Sequence, residues 1–149
     1  MTIEEKDLLL KYLCMVLPYG VKVWYKYYSE NVTERFTTSI RLADGKIALS
    51  SKFNREGDWY PVEEANELLI KPYLRPISSM TEEERNEYNN LYYQVSVNVD
   101  NNGNTFRDMK ILEWLHISWF LKNHFDFMDL IPKGLALPAP EGMYNVKGE

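Results

Sequence analysis

The chain has 149 residues, the size of one ordinary domain, and its 45 % hydrophobic and 26 % charged residues exclude a disordered tail. The net charge of −5 is uneven: residues 1–62 hold nine Lys and Arg against eight Asp and Glu, and residues 63–149 hold eight against fourteen. No basic stripe able to neutralise phosphates occurs, which disfavours nucleic acid as a partner, and the single cysteine, Cys14, excludes an internal disulfide.

Thr2 followed by Glu5 forms a capping box, and Ile3, Leu9, Leu10, Leu13, Cys14, Val16 and Leu17 then recur at helical spacing until Pro18 and Gly20. An amphipathic helix is predicted there. β-branched and aromatic residues dominate 21–28 and 34–42, and Asp44-Gly45 turns into a third strand over 46–53. The spacing predicts a loop over 54–59, then a short helix from Pro61 with Val62, Ala65, Leu68 and Leu69 on one face.

Pro72 and Pro76 each remove a backbone donor, so 71–76 is expected to cross the surface as a stiff connector. Ser79 with Glu82, and Thr81 with Glu84, give two overlapping cap registers for a helix to about Tyr92. Val95, Val97 and Val99 alternate with polar residues as a half-buried fourth strand would. Residues 111–121 are so apolar that a helix buried nearly all round is expected, followed by a short helical turn over 126–131 and an extended tail from about 132. This order predicts a single α+β domain over 1–149, with a mostly antiparallel sheet of about four strands and helices packed on one face.

The 14 % aromatic content suits either an aromatic-rich core or a contact surface. Trp114, Trp119 and Phe120 are the strongest binding candidates, Phe120 falling beside the polar edge of Lys110, Glu113 and His116 on a helical wheel. Tyr73 and Arg75 on the connector are residue types enriched at hot spots. His116, His124, Asp126 and Asp129 resemble a metal or acid/base set, but along one helix the two histidines would stand roughly 12 Å apart, too far to share an ion. His124 with Asp126 remains a candidate dyad, set against a helix-terminal His and an N-cap Asp.

Asn98 to Gly103 imitates the first half of a calcium loop, but Met109 stands where a bidentate Glu belongs, so a turn is the better reading. Glu82, Glu83, Glu84 and Glu87 read as carboxylates complementing a helix N-terminus, and Glu63, Glu64 and Glu67 as a solvated face. Cys14 reads as a buried thiol, and Ser78-Ser79 lacks the surroundings of a hydroxyl nucleophile. No cofactor or metal is implied. The acidic start and the lack of an apolar run of ~20 residues point to a cytoplasmic protein without a membrane partner.

Three blocks carry a resemblance: Leu8 to Cys14 with Leu17 to Val23; Ile70 to Glu84; and Trp114-Leu115 with His124 to Asp126, Leu130-Ile131, Lys133 to Leu137 and Ala139 to Tyr144. Across about half of its length the chain resembles a family of small uncharacterised proteins from gut Bacteroidetes genomes, prophages and mobile elements. The resemblance implies a cytoplasmic, mobile-element-borne protein and carries no activity, cofactor or catalytic residue with it. Asn123-His124 stands where that pattern tends to have a His pair, and Val16 where it tends to have Arg.

The expected function is therefore that of a non-enzymatic accessory protein acting on another protein, with self-association as a further option. One rival is a small hydrolase or transferase using His124 and Asp126, with Glu113 or His116. The other is a single-stranded nucleic-acid module stacking bases on Trp24, Tyr25, Tyr27 and Tyr28 with help from Lys22 and Lys26.

Overall fold

Thr2 accepts from the Glu5 amide and the Glu5 carboxylate accepts from the Thr2 amide, so the capping box opens helix α1 (Ile3–Val16) where the sequence places it. The computed structural model describes the backbone of residues 2–27, 30–41, 46–51, 54–61, 63–64 and 67–148, and the side chains of 2–25, 63 and 67–148. Leu9, Tyr12, Leu13 and Val16 of α1 are fully buried, the stripe expected of a helix with one face on a core.

Strands β1 (Lys22–Tyr27), β2 (Glu30–Arg41), β3 (Lys46–Ser51) and β4 (Asn54–Pro61) form an antiparallel meander. The first three follow the expected strands, while the Asp44-Gly45 turn lies outside the described residues. The loop expected over 54–59 is strand instead. The pairing jumps between Leu49↔Asp58 and Ser51↔Asn54, so turn-forming residues such as Gly57 are absorbed by an irregularity while Trp59 and Tyr60 stay in register.

The helix expected after Pro61 is also replaced by strand, in the small antiparallel pair β5 (Glu63–Glu64) and β6 (Glu67–Leu68). Val62 and Ala65 lie outside the described residues. Strand β7 (Ile70–Leu74) then corrects the connector: it lies inside the sheet, antiparallel to β1, with Pro72, Leu74 and Arg75 buried. Pro72 is tolerated because the next strand out, β10 (Leu137–Pro138), reaches only Tyr73 and Leu74. The six-stranded order is β10-β7-β1-β2-β3-β4, more strands than the sequence suggested, with the β10–β7 pair parallel and the rest antiparallel. The α+β class holds.

Val23, Tyr25, Ile70 and Leu74 present one face of this sheet to α1, to Leu121 and to Leu130, Leu135 and Ala136 of the following turn. A second cluster joins Leu91 and Val95 to Leu112, Trp119 and Phe125. The stacked rings of Phe120 and Phe127, 5.5 Å apart, bridge the two.

Helix α2 (Glu82–Asn90) uses the Thr81–Glu84 register, because Ser79 turns back to donate its hydroxyl to Pro76 O at 2.6 Å. A 3-10 turn over Leu91–Gln94 follows. The fourth predicted strand forms only as β8 (Val97–Val99), which pairs with β9 (Thr105–Arg107) in a separate exposed hairpin. Helix α3 (Met109–Lys122) is not buried all round: Leu112 and its second half enter the cores, whereas Met109, Ile111 and Trp114 face solvent. The helical turn expected after it is a set of hydrogen-bonded turns. Residues 139–148 then return as a strap, its start tied by the Ala139 amide to Leu74 O at 2.7 Å.

Candidate functional site

Six of the exposed large apolar side chains, Val97, Val99, Phe106, Met109, Ile111 and Trp114, lie along hairpin β8–β9 and the first half of α3, with Phe106 opposite Asn98 on the other hairpin face from Val97 and Val99. Arg107 ends β9, Asp108 accepts from the Lys110 amide as N-cap, and α3 begins at Met109, so strand and helix are continuous here. Val99 is 67 % exposed and Trp114 63 %, and Val97, Phe106, Met109 and Ile111 are exposed with them. Ile111 and Trp114, three apart on α3, share a face. Arg107 anchors the hairpin by donating Nε–H to Val95 O at 3.1 Å and lying over the Tyr92 ring at 4.5 Å. Apart from pairing with each other, β8 and β9 meet no other described strand.

The other predicted binding residues face inward. Trp119 is buried, stacked on Phe125 at 5.4 Å, with its indole N–H donated to Glu87 at 3.0 Å. Phe120 is half-buried: its ring packs among Tyr88, Trp119, Phe125 and Phe127, with His116 on the same Tyr88 ring. Tyr73 is buried, and its carbonyl accepts from the Tyr144 hydroxyl at 2.8 Å.

Arg75 is 5 % exposed and donates in a fork to both carboxylate oxygens of Glu84, at 2.7 and 2.6 Å, while its guanidinium lies over the Phe125 ring at 4.2 Å. Glu84 is 1 % exposed, so it is no solvated dipole-complementing carboxylate. Burial pushes its carboxyl up, but the Arg75 guanidinium and the Thr81 hydrogen bonds outweigh that and hold it below its ordinary range. Arg75 also ties three segments together, its N–H on His124 O at 2.7 Å and its C=O accepting from the Asp126 amide at 2.9 Å.

His124 and Asp126 do not form a dyad. The Asp126 carboxylate caps the next turn, accepting from the amides of Leu130 and Ile131 at 2.8 and 2.9 Å. His124, in the left-handed region at φ 62°, brings Nε2 within 2.8 Å of Gly20 O and stacks on Tyr144 at 4.0 Å. Its pKa is lowered by burial, with Arg75 and Lys22 adding to the effect and the Gly20 hydrogen bond opposing it. His116 lies elsewhere, stacked on Tyr88 at 4.2 Å. No group of three metal-ligating side chains occurs among the described residues. In the calcium-like loop the Asp100 carboxylate accepts from the Asn102 and Asn104 amides, and Gly103 takes φ 81°, which makes it a turn.

Of the proposed base-stacking row, Tyr25 is buried and Lys71 lies over Trp24 at 5.9 Å, while the side chains of Lys26, Tyr27 and Tyr28 lie outside the described residues. Sequence reasoning missed Tyr144, whose hydroxyl accepts from the Lys22 amide at 3.0 Å while it donates to Tyr73 O. Nothing in local spacing marks a residue whose partners lie so far back in the chain. Among the described residues no helix is long and apolar enough to cross a membrane. Comparison of the chain with protein-family models, with curated proteins and with solved structures gives no match.

Proposed function

We propose that this chain is a non-enzymatic accessory protein, of phage or mobile-element origin, that acts in the cytoplasm by binding another protein through hairpin β8–β9 and the first half of α3. The observation that supports the reading is the 63 % exposure of Trp114 with the exposed Ile111 on the same face of α3. A tryptophan exposed on a helix face beside another exposed apolar side chain is of the residue type that most often anchors a partner. The engagement of the Asp126 carboxylate by the Leu130 and Ile131 amides, and of His124 Nε2 by Gly20 O, favours this reading over acid/base catalysis.

The test is capture from host lysate with wild type and a Trp114→Ala/Ile111→Glu variant in parallel, alongside sedimentation of each. Both replaced side chains face solvent, so circular dichroism and melting should match wild type. A stoichiometric protein captured by wild type and lost from the variant is the expected result; self-association lost from the variant would identify a second copy as the partner. Equal capture by both proteins would exclude this surface.

A further inference from the structure

A cleft of about 250 Å³ lies between the C-terminal strap and the segment that runs from Arg75 to the cap of α2. The strap is fastened on both sides of it. At one end the Ala139 amide donates to Leu74 O, and at the other Lys147 O accepts from the Thr81 hydroxyl at 2.6 Å while Lys147 Nζ pairs with Glu87 at 2.6 Å. Arg75, Ser79 and Glu141 bring polar groups to the lining, and Pro76, Pro140 and Val146 bring apolar ones.

The Arg75 guanidinium carries five N–H donors in a fixed plane. Two point forward onto Glu84, Nη1 to Oε2 and Nη2 to Oε1, and Nη1 also reaches Asn123 O at 3.4 Å. The Nε–H and the second Nη2–H remain side by side on one edge, and no described residue accepts from them. That edge is on the Thr81 side. The Glu84 Oε1 that takes Nη2 also accepts from the Thr81 amide and hydroxyl, at 3.1 and 3.2 Å, and Thr81 lines the cleft with Arg75. Among the described residues Tyr12 Oη is the one unbonded side-chain polar atom sealed from solvent, so the unused Arg75 edge opens on accessible space. Ser79 Oγ gives its proton to Pro76 O and keeps its lone pairs for accepting.

We propose that this cleft binds a small neutral carboxamide, its carbonyl oxygen accepting from Arg75 Nε and Nη2 and its amide N–H donating to Ser79 Oγ. A carbonyl oxygen has two lone pairs, which two parallel donors match. Charge selects the neutral group. Glu84 already offsets the guanidinium, and the lining Glu141 is a second carboxylate, so an anion would enter beside two charges of its own sign. An amidinium offers only donors to an edge that itself donates. The volume is just under the usual range of about 300–1,000 Å³ for small-molecule sites, which fits a ligand of fragment size.

The full chain is titrated with benzamide, benzoate and benzamidine, which share a ring and differ in charge and hydrogen-bonding capacity. The Arg75 Nε–H resonance and the amide resonances of residues 79 and 142 are followed at constant ionic strength. Saturable benzamide shifts with Kd below about 5 mM are expected, with benzoate and benzamidine each at least about fivefold weaker. Ser79→Ala, at an exposed position, weakens benzamide at least about threefold by removing the acceptor, while Ser78→Ala beside it changes binding less than about twofold. Benzamide shifts that stay linear to about 20 mM, benzoate or benzamidine binding as tightly, or equal losses in the two serine variants would each overturn the assignment. The Trp114→Ala/Ile111→Glu variant keeps benzamide binding, which separates this site from the protein-binding surface.

Discussion

Glu84→Gln removes one charge from the enclosed Arg75–Glu84 pair while keeping a side chain that can still serve the capping box. Arg75 cannot shed its proton, so the variant leaves a guanidinium at 5 % exposure facing an amide whose NH2 half opposes its own donors. Removing one partner of a buried pair costs about 3–5 kcal/mol, and at this chain length ~3 °C of melting temperature accompanies each kcal/mol. A loss of about 3 kcal/mol and ~9 °C is therefore expected, read by urea unfolding followed through tryptophan fluorescence.

Arg75→Met costs a similar amount, and the double variant recovers at least ~2 kcal/mol of the summed losses, since neither charge then remains unpaired. The pair also has a pH signature. Glu84 ionises at a lower pH folded than unfolded, so its contribution is fully present above the ordinary carboxylate range near 4.3 and is lost as pH falls through the lowered folded value. A Glu84→Gln loss under ~1 kcal/mol, or strictly additive single losses, would refute a structural role for the pair. The same geometry makes Arg75→Glu and Phe120→Asp, attractive surface probes on sequence grounds, into core-disrupting changes.

Tyr12 is fully buried and its hydroxyl has no hydrogen-bond partner among the described residues, so Tyr12→Phe should leave stability unchanged or raise it by about 1 kcal/mol in the same urea assay. Tyr144→Phe strands the Lys22 amide and Tyr73 carbonyl and should cost about 1–3 kcal/mol, with faster hydrogen exchange at Lys22 and earlier proteolysis of residues 139–148. Burial keeps His124 neutral in the folded state to lower pH than in the unfolded chain, so stability should fall as pH drops below about 6.5. His124→Asn, which tolerates the same backbone, should flatten that slope. Asp129 is exposed at φ 55°, and Asp129→Gly should raise the melting temperature by a few degrees, equivalent to about 0.5–1 kcal/mol.

Elements governed by neighbours within four residues were legible before any fold was known. The start of α1 follows from Thr2 with Glu5, that of α2 is narrowed to two registers of which Thr81 with Glu84 forms, the core stripe of α1 follows from its spacing, and the turn at Gly103 from its Asn- and Gly-rich run. Strand β4 was obscured by Asn54 and Gly57, whose turn preference is overridden by pairing with β3. The helical face proposed for residues after Pro61 failed because short apolar spacings do not distinguish helix from strand when each element is two residues long. In the candidate site, Trp114 was identifiable as an aromatic but not as an exposed one, because the apolar face of α3 is longer than the cores that cover it.

The sequence by itself determined the α+β class, the cap of α1, the main helices and the antiparallel character of the first strands, because those rest on local hydrogen bonds and on side-chain periodicity. Only the tertiary structure decided that Pro72 sits inside a sheet, that Arg75 is an internal ion-pair partner, and that Ser79 and Glu141 line one cleft with it. The Tyr144 hydroxyl meets residues 71 and 122 positions away in the chain. Contacts of that separation depend on how whole elements pack, and their closure leaves no periodic trace in the residues that make them.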